Sequence, residues 1–129
     1  MNGEPIISPP WERIAATGAS FALHEWSHGP GGGPPLHVHH HDDEAWHVLE
    51  GRLRFRFADR TVDAGPGSSV FVPAGVAHTF GNPDPEWVRY LIVTTRRVPE
   101  LIDALHALAD PAPNDVADTY RRYDAEILE

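Results

Sequence analysis

"GGGPPLHVHHHDDEAWHVLEG", residues 31–51, holds five histidines (His37, His39, His40, His41 and His47), the acidic run Asp42-Asp43-Glu44, Glu50, and a glycine at each end. A tract of this kind is either a metal site or a solvated loop. It is not an expression tag, because it is internal and is interrupted by Val38 and by carboxylates. Residues two apart on a strand point the same way, so His37 and His39 can face one interior. Glu44 lies five residues beyond His39 and has the wrong parity for a single unbroken strand. A turn must intervene, and His40–Asp43 has the polar composition for one. The strand that follows then carries Glu44, Trp46 and Val48 on one face and His47 on the other.

Outward from this stretch, glycine and proline break the chain at short intervals as far as residue 85, and short runs of Val, Phe, Leu and Trp lie between the breaks. "GRLRFRFA" (residues 51–58) alternates strictly, with Leu53, Phe55 and Phe57 on one face and Arg52, Arg54 and Arg56 on the other. "SSVFVP" and "EWVRYLIVTT" are β-branched and aromatic, as strands prefer. Many short strands with frequent turns predict a sandwich or barrel. After Pro99 the period changes. Leu101, Ile102, Leu105 and Leu108 recur at helical spacing, Pro99 suits a first turn, and "PAP" ends the helix. A second helix is expected with Asn114 or Asp115 as its cap and Val116, Tyr120 and Tyr123 as its apolar stripe. The reading is one domain over residues 1–129, a β core over about 15–97 and a helical tail over about 98–129.

The chain has 129 residues and a net charge of −9, from 19 acids against 10 bases. A phosphate backbone or an anionic membrane surface would be repelled, so neither nucleic acid nor membrane is an expected partner. No run approaches the ~20 apolar residues of a membrane span, and the N-terminus lacks the pattern of a signal peptide. A cytoplasmic location is expected. With no cysteine, thiolate ligation and disulfides are excluded. Of nine histidines, only His106 lies beyond residue 80.

Two spaced sets now stand out. Gly31, His37, His39, Glu44 and Gly51 are separated by five, one, four and six residues. Gly67, Pro73, Gly75, His78 and Asn82 are separated by five, one, two and three. These sets resemble, at every defined position, the two signature motifs of the cupin superfamily. The resemblance implies a double-stranded β-helix, the jelly-roll barrel. It also implies a metal held by His37, His39, Glu44 and His78 from three strands. A second H-x-H frame, His39 and His41 after Gly33, leaves too few residues before Glu44. Asp43 could replace Glu44 at the shorter family gap, but Glu44 alone places Gly51 correctly.

A His₃Glu set leaves positions open on a six-coordinate ion and suits one divalent transition metal per chain, Fe, Mn, Ni or Co ahead of Zn. Glu44 is the one basic oxygen among the donors and is the expected catalytic residue, able to take a proton from a small substrate. A single domain with a tail of this length is similar to small flavonol (quercetin) dioxygenase-like cupins, although the Tyr-Gly pair common in their tails is here Tyr123-Asp124. The reading is therefore a metal-dependent dioxygenase acting on a small enol or phenolic substrate. The alternatives are a non-redox isomerase or decarboxylase, and a binding module without turnover. A homodimer is expected, with Ile6, Ile7 and Trp11 crossing to the partner. His40 and His41 are assigned to a solvated loop, Arg52, Arg54 and Arg56 to a wet strand face, and His106, inside the tail helix, is read as a surface or packing residue. His47 is expected to face away from the metal. Trp26, Trp46, Phe71, Phe80 and Tyr90 are read as core first and cavity wall second.

Overall fold

The structure is a computed structural model and describes residues 3–129. The strands are β1 (Ala15–Thr17), β2 (Phe21–His28), β3 (Gly31–Gly32), β4 (His37–His39), β5 (Glu44–Glu50), β6 (Leu53–Phe57), β7 (Thr61–Ala64), β8 (Ser69–Val72), β9 (His78–Asn82) and β10 (Val88–Thr95). Two helices follow, α1 (Arg97–His106) and α2 (Pro113–Arg122), and then β11 (Ala125–Ile127). One sheet runs β1-β2-β10-β5-β8 and the other β11-β4-β9-β6-β7, with β3 also paired to β9.

Strand parity sets the layers. In β5, Glu44, Trp46 and Val48 are buried while His47 is exposed. In β6, Leu53 and Phe55 are fully buried and Arg54 and Arg56 are exposed, as the alternation predicts. The inward faces of the two sheets meet in a cluster of Trp46, Val48, Leu53, Phe55, Ala64, Val72, Val88, Tyr90 and Ile92. Each of the larger side chains stabilises the fold by roughly 1.5–3 kcal/mol through burial. The aromatic assignments divide. Trp46 and Tyr90 are core, Trp26 and Phe80 pack against it, but Phe71 is 64% exposed on the outer face of β8.

Two turns show why the motif glycines are there. Gly51 has φ +75°, and a Cβ at that position would lie 2.7 Å from the Trp87 carbonyl oxygen. Gly75 has φ +86° and donates its N–H to the His39 carbonyl at 2.8 Å, tying the turn before β9 to the end of β4. Asn82 ends the second motif for a structural reason. Its amide donates to Glu86 O at 2.7 Å and its carbonyl accepts from Asp84 N at 2.9 Å, closing the turn into β10.

The tail differs from expectation in two places. The cap residue of α2 is Ala112, not Asn114 or Asp115. Asp115 acts from inside the first turn, its carboxylate accepting the Ala112 N–H at 3.0 Å. The last residues are also not helical, because 125–127 form β11, which pairs antiparallel with β4. Asp124 makes the reversal between α2 and β11 with φ +61°, a conformation that Asp tolerates better than most residues.

Candidate metal centre

His37 and His39 stand on β4, Glu44 opens β5 and His78 opens β9, so the four side chains come from three strands of both sheets. His37 and His78 are directly paired residues. All four are buried, between 1% and 5% exposed, and their donor atoms lie within 4.8 Å of one another.

The hydrogen-bond pattern fixes which nitrogens face inward. His37 Nδ1 lies 2.8 Å from the Pro35 carbonyl and His78 Nδ1 lies 3.0 Å from the Val76 carbonyl. A carbonyl can only accept, so each Nδ1 carries the proton and each Nε2 keeps its lone pair for the centre. Glu44 Oε1 sits 2.6 Å from His39 Nε2 and 3.4 Å from His78 Nε2. The atoms are close but wrongly directed for hydrogen bonding, and Glu44 Oε1, His78 Nε2 and His39 Nδ1 have no hydrogen-bond partner. Buried polar atoms that converge without bonding one another are costly unless a shared cation satisfies them. The donor set therefore fits a metal ion.

Electrostatics agree with that role. Burial pushes the Glu44 carboxyl up, but the facing imidazoles of His39 and His78 outweigh it and hold the group at about 2. Burial, reinforced by His78, lowers His37 to about 4, which leaves its imidazole neutral at pH 7. A neutral imidazole at His37 and a carboxylate at Glu44 are what a divalent ion requires of its ligands.

The remaining candidates lie outside the centre. His41 is 78% exposed and binds Asp124 at 2.7 Å, and His40 lies 3.7 Å from Glu126. Asp43 is exposed and accepts the Ala74 N–H at 2.8 Å, so it serves the neighbouring turn rather than standing in for Glu44. His47 meets Ser69 on the outer face at 2.7 Å, and His24 meets Thr17 at 3.2 Å. Arg52 is paired with Asp84 and Asp63, Arg54 with Asp63, and Arg56 with Glu129.

Above the four donors is a cavity of about 230 Å³. His37, His39 and Glu44 form its floor, Phe80 and Ile92 contribute to the walls, and Val98, Leu101, Ile102 and Leu105 of α1 form most of its roof. Two polar groups of the tail also line it, Tyr120 from α2 and the exposed His106. No arginine does. The sequence pattern shows Tyr120 as part of an apolar stripe and His106 as a surface or packing residue, and neither as part of a cavity. The helical period gave the right face for Tyr120, but nothing local says that this face closes over β4.

Residues 24–94 match the Cupin domain family. A germin-like protein 3-7 of Oryza sativa subsp. japonica is 33% identical over 77% of this chain and 46% of its own. Across the curated relatives it matches, the chain spans 11–46% of their length. Among solved structures, the polyketide cyclase RemF of Streptomyces resistomycificus is 33% identical with a TM-score of 0.54, over 60% of this chain and 55% of that one. A sugar phosphate isomerase of Silicibacter pomeroyi is 28% identical with a TM-score of 0.56, over 60% and 52% of the two chains. No helix among the described residues is long and apolar enough to cross a membrane. The two-sheet fold, the His₃Glu cluster between its layers and the match across residues 24–94 together make this chain a member of the cupin family.

Proposed function

We propose that this cupin is a metal-dependent dioxygenase acting on a small, largely apolar substrate that offers enol or phenol oxygens. The observation that carries this reading is the apolar 230 Å³ cavity set directly over the buried His₃Glu cluster. A redox-active divalent ion bound there would supply Lewis acidity and activation of dioxygen. His37 and His78 present fixed Nε2 lone pairs, and the roof of α1 keeps bulk water from the substrate. Glu44 is held so far down that it acts first as an anionic ligand. With an ion bound, Glu44 would accept a proton only from an acidic group such as an enol or phenol. No arginine is among the described residues that line the cavity, so a phosphate ester would find no guanidinium there, and sugar phosphates are not the expected substrates.

A second reading, metal-assisted chemistry without oxygen such as isomerisation or decarboxylation, is favoured by the names of the isomerase and cyclase relatives. One experiment separates the two. Iron-loaded protein is given a panel of small enols and catechols, with oxygen consumption and product formation followed in parallel. Oxygen uptake that disappears in Glu44→Ala is the expected result. Turnover that proceeds equally without oxygen would move the assignment to the second reading, and binding without turnover to a non-catalytic module.

The homodimer belongs with this proposal. On the outer face of the first sheet, Leu23, Val93, Ala45 and Phe71 lie side by side across four paired strands, and Phe71 and Val93 are exposed. Ile6, Ile7 and Trp11 are exposed as well. Such a row supports pairing of two copies. A monomeric mass by light scattering at micromolar concentration would end that reading.

A further inference from the structure

Tyr120 is the one hydroxyl-bearing side chain that the tail brings to the cavity over the metal centre. Its ring is 4% exposed and packs in a cluster with Leu101 and Ala125, edge-on to His37 at 5.6 Å between centroids. Burial of a phenol normally comes with a hydrogen bond for its hydroxyl, as it does for Tyr90, which lies 3.3 Å from His28 Nε2. The Tyr120 hydroxyl has no such partner among the described residues, and it is not among the polar atoms sealed away from all space. Tyr120 lines the cavity whose floor is His37, His39 and Glu44. The other roof residues on α1 are apolar except for His106 at the exposed end of the helix.

We propose that the Tyr120 hydroxyl is the substrate-facing hydrogen-bond donor of this site, meeting an oxygen of a small oxygen-bearing ligand seated over His37 and Glu44. The inference rests on the reading of the four donors as a metal centre that takes an enol or phenol. It assigns a substrate contact to the tail, outside both cupin motifs. A phenol at that place offers its hydrogen to a ligand oxygen and keeps its ring in the roof. It thereby selects for substrates with an acceptor on the side away from the metal.

The test uses the full chain loaded with cobalt(II) and titrated with 4-nitrocatechol, followed by the visible absorption of the probe. Tyr120→Phe keeps the ring and removes only the hydroxyl. Tyr123→Phe removes a hydroxyl that does not line the cavity. Tyr120→Phe should bind the probe about tenfold more weakly, the loss of one hydrogen bond to a ligand oxygen. Cobalt content and melting temperature should match the wild type, and Tyr123→Phe should bind as the wild type does. Unchanged affinity in Tyr120→Phe overturns the proposal and leaves the metal-site reading standing. Loss of cobalt together with the probe overturns it too, because Tyr120 would then support the ion rather than the substrate. A cobalt-loaded wild type that binds no probe overturns both this proposal and the functional reading beneath it.

Discussion

The floor and the roof of the cavity are held by different means. The four donors of the floor stand on β4, β5 and β9, where backbone ladders fix each Cβ direction and two of the imidazoles are anchored to carbonyls. The roof hangs on two ten-residue helices and returns to the barrel through the three residues of β11. Beside the short ladder of β11 on β4, ion pairs hold that return. Arg97 lies 3.1 Å from Asp124 and 3.4 Å from the buried Asp42, and Asp124 also holds His41. The floor is thus specified by register throughout, and the roof by side-chain packing, one three-residue ladder and a few charges. A substitution in the floor should abolish a property outright, whereas one in the roof should grade it.

The largest effect expected is on metal binding. His39→Ala should lower metal affinity by at least ~100-fold, more than the loss of an outer partner, while His41→Ala should keep the wild-type metal content. Elemental analysis of protein purified without chelator reads this directly. Equal loss in both variants would break the division between floor and loop.

Next is the roof. Leu101 is 3% exposed and packs with Tyr120 and Ala125. Leu101→Ala should cost about 2–5 kcal/mol of stability and leave metal content intact, which denaturant unfolding and metal analysis would show together. Metal loss in that variant would mean that the roof helps to hold the floor.

The pH dependence of the metal-free protein is a sharper test of the floor. His37 sits at about 4 in the folded protein against 6.5 in the unfolded chain, so the unfolded state binds the extra proton between those values. Stability from this group is complete above pH 6.5 and is lost as pH falls toward 4, on the order of 3 kcal/mol. Glu44, lowered from 4.5 to about 2, adds a loss in the same direction below pH 4.5. Thermal melts at pH 7 and pH 4 should differ in wild type and differ less in His37→Asn. An equal drop in both would remove His37 as the cause.

The smallest effect is expected at the hinge between the two regions. Asp124→Gly relieves the left-handed backbone but gives up the partners of His41 and Arg97. These half-exposed pairs contribute little, so the net change should stay within about 1 kcal/mol in denaturant unfolding. A larger loss would show the hinge charges to be a stronger tie than the packing suggests.

What was legible in the sequence was local. His37 and His39 share a face because they are two residues apart. Glu44 needs a turn before it because its parity is wrong, and "LRFRF" shows its buried side by alternation. Asp124 in the left-handed conformation explains how a tail without the Tyr-Gly glycine still turns. The exposure of Phe71 was not legible, since either face of a short apolar strand can be the inner one until its neighbours are known.

The sequence by itself determined the cupin motifs, the strand parities that aim three imidazoles and a carboxylate inward, and the two helices of the tail. Only the tertiary structure decided that the chain ends by adding β11 to the strand carrying His37 and His39. That pairing is what lays Tyr120 and the apolar face of α1 over the centre. The physical reason is range. Side-chain period is set by neighbours two to four residues away, whereas this closure joins residues such as His41 and Asp124, 83 residues apart along the chain, through contacts that no local pattern encodes.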